Sequence, residues 1–346
     1  MQNKIFKGKK IIILGGTGSI GKEILDSLIQ YKPKLIRIFS RDEYKQHQLR
    51  YKYFDEKNID YVLGDIRDLD SLISACRDID IVFHTAALKH VPISEENPEE
   101  FIKTNILGSL NVKKAALMCK IPLVVSISSD KAVDHTNLMG LTKSVQEKIF
   151  SSHHLKDKTK TKFITVRFGN VIGTHGSLFP IVYHQIRNKK PITLTHAEMT
   201  RFYMSKKEAI ELIFWATIHG KDGEIIIKKM KSANIMNIIK TFLSFLKISN
   251  KWPLKKIGIR IGEKMHESLI TEDNLYRIKE RSGYYIVSPY DPNNIIADKF
   301  LMDNQQIQKR SKFISNNPDN YFTAKELTEH VKNFIGESRS SFDTII

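Results

Sequence analysis

The sequence predicts an α/β protein built on a doubly wound parallel sheet, with a smaller C-terminal substrate-binding part. Three observations carry that prediction. Short apolar runs alternate with helix-length segments through the first half of the 346 residues. The runs are continuous, rich in Ile, Val and Leu, and lack polar alternation, as suits strands covered on both faces. A glycine turn, Leu14-Gly15-Gly16-Thr17-Gly18-Ser19-Ile20-Gly21, closes the first run and opens a helix. In that position it marks an NAD(P)-binding Rossmann fold.

In order, the predicted strands are 10–14, 35–40, 59–63, 79–83, 123–127 and 163–168. Helices are expected over 21–31, 69–76, 99–118 and 137–151. Residues 173–201 are rich in Gly, Pro, Thr and His and read as an extended loop with short elements. Beyond it the pattern predicts a helix over 206–219, a strand over 224–227 and a helix over 234–245. A strand over 256–261 and a helix over 324–335 complete the chain. There is no internal repeat or low-complexity linker. The expected division is a dinucleotide domain over 1–168 and a mainly substrate-binding part over 169–346. A segment near 204–228 is expected to return to the first domain.

Composition narrows the function classes. Hydrophobic residues make up 41%, which fits a globular chain. The longest apolar runs, such as 121–127, are too short to span a bilayer, and no cleavable signal is visible. No membrane insertion is expected. Cys76 and Cys119 have no metal-ligand spacing and read as reduced thiols of a cytoplasmic protein. No metal is expected, and His90, His175 and His266 are read as hydrogen-bonding groups. The net charge of +17 comes from dispersed lysines without a basic run. It is read as a solvated surface plus a site for an anionic ligand, with no nucleic-acid partner.

The glycine turn supplies the cofactor prediction. Gly15 permits the tight turn, Gly18 lets the pyrophosphate approach, and Gly21 lets the helix lie close to the strand. Thr17, Ser19 and Ile20 complete the phosphate-facing turn, whose helix N-terminus offers N–H groups. After the second strand comes Phe39-Ser40-Arg41-Asp42-Glu43, with Lys45 close behind. Ser40, Arg41 and Lys45 suit the 2′-phosphate of NADP. Asp42 would serve NAD if the strand ended later, so NADP is favoured over NAD. Asp65 and Ile66 lie where an adenine contact belongs; the bland alternative is a helix-capping turn around Asp65–Asp68.

Several stretches together resemble the extended short-chain dehydrogenase/reductases, and among them the UDP-N-acetylglucosamine 4,6-dehydratases. They include residues 84–92 (HTAALKHVP), 103–106 (KTNI), 128–133 (SSDKAV), 167–171 (RFGNV), 199–202 (MTRF) and 258–267 (GIRIGEKMHE). The resemblance implies oxidation of the sugar at C4, loss of water across C5 and C6, and hydride return to C6. It implies tightly bound, recycled NADP and a UDP-sugar substrate. It also implies a homo-oligomer, dimer or hexamer, working in surface polysaccharide or glycan biosynthesis. In that family the matching Asp and Lys are the elimination acid and base, which makes Asp130 the acid at the C6 hydroxyl and Lys131 the base at C5. Lys131 would then need a lowered pKa.

The superfamily triad is Ser/Thr with Tyr-x-x-x-Lys. Ser129 and Lys143 fit two members, but Met139 occupies the tyrosine position. A thioether cannot exchange the C4 hydroxyl proton. Some branches of the resembled family also carry methionine there. By the same resemblance Ala86, Ala87, Lys89 and Asn105 line the nicotinamide side, with Lys89 also near the sugar. Asn170, Ser177, Thr200, Arg201, Arg260 and Glu263 would hold the UDP-sugar, the two arginines on the diphosphate and Glu263 on the ribose. Two rivals remain: a UDP-sugar 4-epimerase, against which the Asp130–Lys131 pair argues, and a catalytically silent NADP/UDP-sugar-binding protein, motivated by Met139.

Overall fold

The computed structural model describes residues 2–152, 160–249, 251–290 and 313–339. The strands begin with β1 (Lys10–Leu14), β2 (Leu35–Ser40), β3 (Ile59–Leu63), β4 (Ile81–His84), β5 (Leu123–Ser129) and β6 (Lys162–Phe168). They continue with β7 (Asn170–Val171), β8 (Ile192–Leu194), β9 (Thr200–Met204), β10 (Ile225–Lys228) and β11 (Lys231–Asn234). The last three are β12 (Leu254–Lys256), β13 (Ile278–Arg281) and β14 (Tyr284–Val287). Nine described strands make one sheet in the order β13-β14-β10-β6-β5-β4-β1-β2-β3. It is parallel from β3 to β10 and antiparallel only at the β10, β14, β13 edge. The winding direction reverses between β1 and β4, where open α/β sheets form their ligand crevice.

The apolar strands are buried on both faces, as their composition requires. Ile11, Ile13 and Phe83 pack with Ile24, Leu28, Ile213 and Phe214 from the helices Ser19–Ile29 and Lys206–His219. Ile12, Leu14 and Val82 face Leu72, Val112 and Ala116 from the helices Leu69–Ala75 and Gly108–Met118. Each such fully buried aliphatic side chain contributes about 1.5–3 kcal/mol. The helix Lys206–His219 leads into β10, which pairs with β6, so this late segment joins the main sheet. A separate core gathers Phe179, Phe242 and Phe334, whose ring centroids lie 5.3–6.1 Å apart.

The elements that differ from the sequence prediction include the hairpin β13–β14, the helices Gln2–Phe6 and Val91–Glu96, and the following four. Residues 173–201 contain a ten-residue helix, Leu178–Arg187, whose buried Phe179, Val182, Tyr183 and Ile186 repeat at helical spacing. Pro180 sits in its first turn, where its missing N–H costs no intrahelical bond. The polar helix Glu43–Lys52 buries only Gln46 and Leu49 and so lacks an apolar stripe to announce it. The expected helix over 99–118 is interrupted by a π-helical stretch, Ile102–Leu107. The expected strand over 256–261 is instead β12, which ends at Lys256; Gly258, at φ +79°, turns the chain away.

A buried ion pair joins the layers. Arg167 on β6 donates to both oxygens of Glu147, Nε to Oε1 at 2.9 Å and Nη2 to Oε2 at 2.6 Å. Its remaining nitrogen, Nη1, donates to Leu269 O at 2.8 Å and Asn274 Oδ1 at 2.9 Å. Ser128 Oγ donates to Glu147 Oε1 at 2.6 Å. Both charged side chains are nearly inaccessible. Removing one partner leaves the other charge buried and uncompensated. Arg167→Met is therefore expected to lose about 3 kcal/mol of stability, read as a lower denaturant midpoint; an unchanged midpoint would contradict the role given to this pair.

Candidate active site

The glycine turn lies at the head of the crevice. Gly15 has φ +80°, and a Cβ there would come within 2.7 Å of the Ala86 backbone. A Cβ on Gly21 would meet Gly15 O at 2.6 Å. Gly18 is the N-cap of the helix Ser19–Ile29 and gives it no side-chain cap. The helix thus presents its first N–H groups at a cradle that side chains would fill, which fits a dinucleotide pyrophosphate. Thr17 is buried, and Ile20 packs against the core behind the turn. Ser19 Oγ lies 2.9 Å from His175 Nδ1, and Lys89 Nζ donates to His175 O at 2.7 Å. The loop around His175 therefore crosses this end of the crevice. Ala87, beside Ala86, is half-buried.

At the end of β2, Ser40 is buried and accepts a 3.1 Å bond from Gln46 Nε2. Arg41 is half exposed, with Asp65 Oδ2 3.7 Å away. Asp65 also binds Arg67 at 2.7 Å. Asp42 serves its own helix: its carboxylate accepts from Lys45 N at 2.9 Å and Lys45 Nζ at 2.7 Å. Those two bonds hold its carboxyl below the usual range. Asp68 caps the helix Leu69–Ala75, while Ile66 is buried against Gly108.

The Asp-Lys pair sits where β5 runs out into the short turn Asp130–Ala132. Asp130 is fully buried; its Oδ1 accepts from Ser129 Oγ at 2.9 Å and Lys131 Nζ at 3.1 Å. Its Oδ2 has no partner among the described residues. Lys131 Nζ also faces Glu267 Oε1 at 3.9 Å. Burial alone would push the amine's pKa down, but the Asp130 and Glu267 carboxylates outweigh it and the net direction is up. The expected lowering of Lys131 is thus reversed by its two anionic neighbours.

Met139 is buried with Val91 and Phe101, so its thioether fills an apolar contact. Lys143, one helical turn on, is buried and donates to Ile127 O and Gln146 Oε1, both at 2.6 Å. Burial pushes its amine down to about 8. Asn105 lies in the π-helical stretch, accepting from Leu88 N at 2.9 Å and donating to Leu88 O and Thr142 Oγ1, both at 3.0 Å. All its side-chain groups hold the 88–89 loop and the Lys143 helix, which makes it a brace in this structure.

On the substrate side, Asn170 pairs across from Tyr203, and Ser177 is the N-cap of the helix Leu178–Arg187. Thr200 Oγ1 lies 2.8 Å from both His266 Nδ1 and Ser315 Oγ. Arg201 is buried, with Nη1 on Thr200 O at 2.8 Å and Nε 3.8 Å from Glu267 Oε1. Arg260 stands on a more open turn, half exposed and 3.9 Å from Glu263. Arg201, not Arg260, therefore shares the Lys131 cluster. The sequence reading gave Glu267 no role, although it lies in the same 258–267 stretch; a lone acidic residue there gives no sign of burial.

The fold and this site define a protein of the extended short-chain dehydrogenase/reductase class. The family described as polysaccharide biosynthesis protein matches residues 11–289, and this chain belongs to it. An uncharacterized membrane protein of Methanocaldococcus jannaschii is 40% identical over 335 residues, 95% of this chain and 96% of that one. The UDP-N-acetylglucosamine 4,6-dehydratase (inverting) of Campylobacter jejuni is 36% identical, over 96% of this chain and all of its own. A UDP-glucose 4-epimerase of Rickettsia bellii is 36% identical over 87% of this chain and 89% of its own. The X-ray structure of Pen from Bacillus thuringiensis superposes with TM-score 0.86 at 38% identity, covering 95% and 99% of the two chains. No helix among the described residues is long and apolar enough to cross a membrane.

Gly21→Ala is expected to weaken dinucleotide binding at least about tenfold, because its Cβ would strike backbone. Isothermal titration with the oxidised dinucleotide checks this; unchanged affinity would remove the turn from the cofactor site.

Proposed function

We propose that the chain dehydrates UDP-N-acetylglucosamine to a UDP-4-keto-6-deoxy sugar, with NADP as recycled cofactor and inversion at C5. The observation that carries this is the Asp130–Lys131 pair, joined at 3.1 Å with the carboxylate fully buried, at the end of β5 and two strands from β1, which leads into the glycine turn. The glycine turn would hold the dinucleotide, whose nicotinamide would supply a hydride acceptor for C4 and a hydride donor for C6. The dinucleotide domain over 1–168, with the 204–228 segment, would hold the cofactor, and the remainder would cover the sugar nucleotide. Such an enzyme would act in the cytoplasm as a homo-oligomer, supplying surface polysaccharide or glycan biosynthesis.

The elimination follows from proton arithmetic. With the lysine held charged and the aspartate accepting its hydrogen bond, the pair carries one mobile proton. Moving that proton from Lys131 Nζ to Asp130 Oδ1 produces a neutral amine and a carboxylic acid. The amine then takes the C5 proton and the acid protonates the C6 hydroxyl, which leaves as water. The products of that step are again an ammonium and a carboxylate. The C4 hydroxyl proton would pass to Lys131, Asp130 or a water, and one proton would return from water to C5 when C6 receives its hydride. Reprotonation on the opposite face of C5 gives inversion. Met139 takes no part in these transfers. Lys143 would serve the nicotinamide ribose and supply positive charge. Arg201 would meet the diphosphate, with Arg260 joining it there and Glu263 near the uridine ribose.

A UDP-sugar 4-epimerase is the second reading, favoured by the name of the Rickettsia bellii relative. Mass spectrometry of products from UDP-N-acetylglucosamine separates the two: loss of one water supports dehydration, and an isomer of unchanged mass supports epimerisation. Dinucleotide binding with no turnover would mark a silent protein. Lys131→Ala should abolish water loss while UDP binding remains; surviving turnover would sink the elimination scheme. Arg41→Ala should lower affinity for NADP about tenfold more than for NAD, as read by parallel titrations. An equal effect on both would remove the 2′-phosphate assignment.

A further inference from the structure

Among the described residues, Glu267 is the one buried carboxylate that faces the Asp-Lys pair from the C-terminal part of the chain. Its Oε1 lies 3.9 Å from Lys131 Nζ and 3.8 Å from Arg201 Nε. Its Oε2 lies 3.7 Å from Lys264 Nζ and has no hydrogen-bond partner among the described residues. The residue is fixed from behind: its N–H donates to Ser315 Oγ at 2.9 Å. The irregular run that carries it is pinned to the loop after Asp130. Lys264 Nζ donates to Val133 O at 2.5 Å, and Thr136 and Asn137 both donate to Gly262 O, at 3.0 and 2.8 Å.

We propose that Glu267 is a positioning residue for the Lys131 amine, anchoring it from the C-terminal part and setting how firmly it keeps its proton. The role in turnover rests on the dehydratase reading above. The charges around the site are Asp130 and Glu267 against Lys131, Arg201 and Lys264, with Lys89 further along the pocket. Tyr203 and His266 adjoin Arg201, Asp134 and His135 follow Lys131 on its own turn, Lys143 and Glu147 come from the helix Leu138–Ser151 packed on that turn, and Glu263 precedes Lys264. A carboxylate at this distance from an ammonium favours the charged amine, the more so away from water. Lys131 thus waits with its proton until Asp130 takes it, and the elimination step returns it. Two coupled groups share that proton, so its loss at high pH belongs to the pair.

Two measurements on the full chain test this. Competitive labelling of the Lys131 amine with trace dinitrofluorobenzene, located by peptide mass spectrometry across pH, reads its proton affinity without turnover. Glu267→Gln keeps shape and removes charge, so the labelling midpoint should fall by roughly one pH unit. Glu267→Asp, which keeps the charge one methylene further back, should fall between them and serves if the glutamine variant does not fold. In the second measurement, the alkaline limb of kcat/KM should move to lower pH in Glu267→Gln. A merely structural residue would lower the rate and leave both the midpoint and the limb in place. An unmoved labelling midpoint overturns the positioning role whatever the activity. A moved midpoint in a chain whose wild type releases no water upholds that role and overturns the dehydratase reading instead.

Discussion

The buried pairing of Arg167 with Glu147 is the constraint on which the site depends. Five groups meet there, drawn from four stretches of chain. Ser128 belongs to the strand that ends in Asp130, and Glu147 to the helix that carries Met139 and Lys143. Leu269 and Asn274 lie two and seven residues after Glu267. A guanidinium has five N–H donors in a fixed fork, so satisfying it without water fixes the relative position of all its acceptors. The charges lie under the site and not in it. Their geometry nevertheless decides whether the C-terminal run reaches the Asp-Lys turn.

A second consequence of burial is the division of charge among the lysines. Lys143 bonds two neutral acceptors, and burial outweighs the pull of the Glu147 carboxylate, so its amine falls to about 8. Lys131 is less enclosed, with a fifth of its side chain exposed, but lies against two carboxylates, and it moves the other way. Desolvation alone does not set the direction; its balance against the carboxylates within reach does. This is why a carboxylate distant in sequence bears on the chemistry of the pair. The same rule explains Asp42, whose charge is spent on capping its own helix and pairing Lys45. That leaves Arg41 as the exposed group at the end of β2.

The glycine turn illustrates the opposite extreme, a site read almost wholly from local sequence. Its chemistry is that of a backbone, so glycine spacing after a strand specifies it. Asn105 was assigned to the pocket on resemblance, yet its amide is consumed by Leu88 and Thr142 in a π-helical stretch. No sequence period distinguishes that stretch from an ordinary helix. Met139 likewise tells only that a hydroxyl is missing; that its side chain joins Val91 and Phe101 is a property of packing.

By itself the sequence determined the alternating elements, the parallel sheet, the cofactor turn and the adjacency of Asp130 to Lys131. Each is encoded within a dozen residues by periodicity, glycine placement or neighbour chemistry. Helices with weak signals escaped it: Glu43–Lys52 lacks an apolar stripe, and the stripe of Leu178–Arg187 lay among turn-forming residues. Only the tertiary structure decided which way Lys131 titrates, that Arg201 and not Arg260 faces it, and that Glu267 completes the cluster. Those outcomes depend on burial and on distances of under 4 Å between segments far apart in the chain. Electrostatic interaction is governed by such distances and by exclusion of water, neither of which is written in residue order.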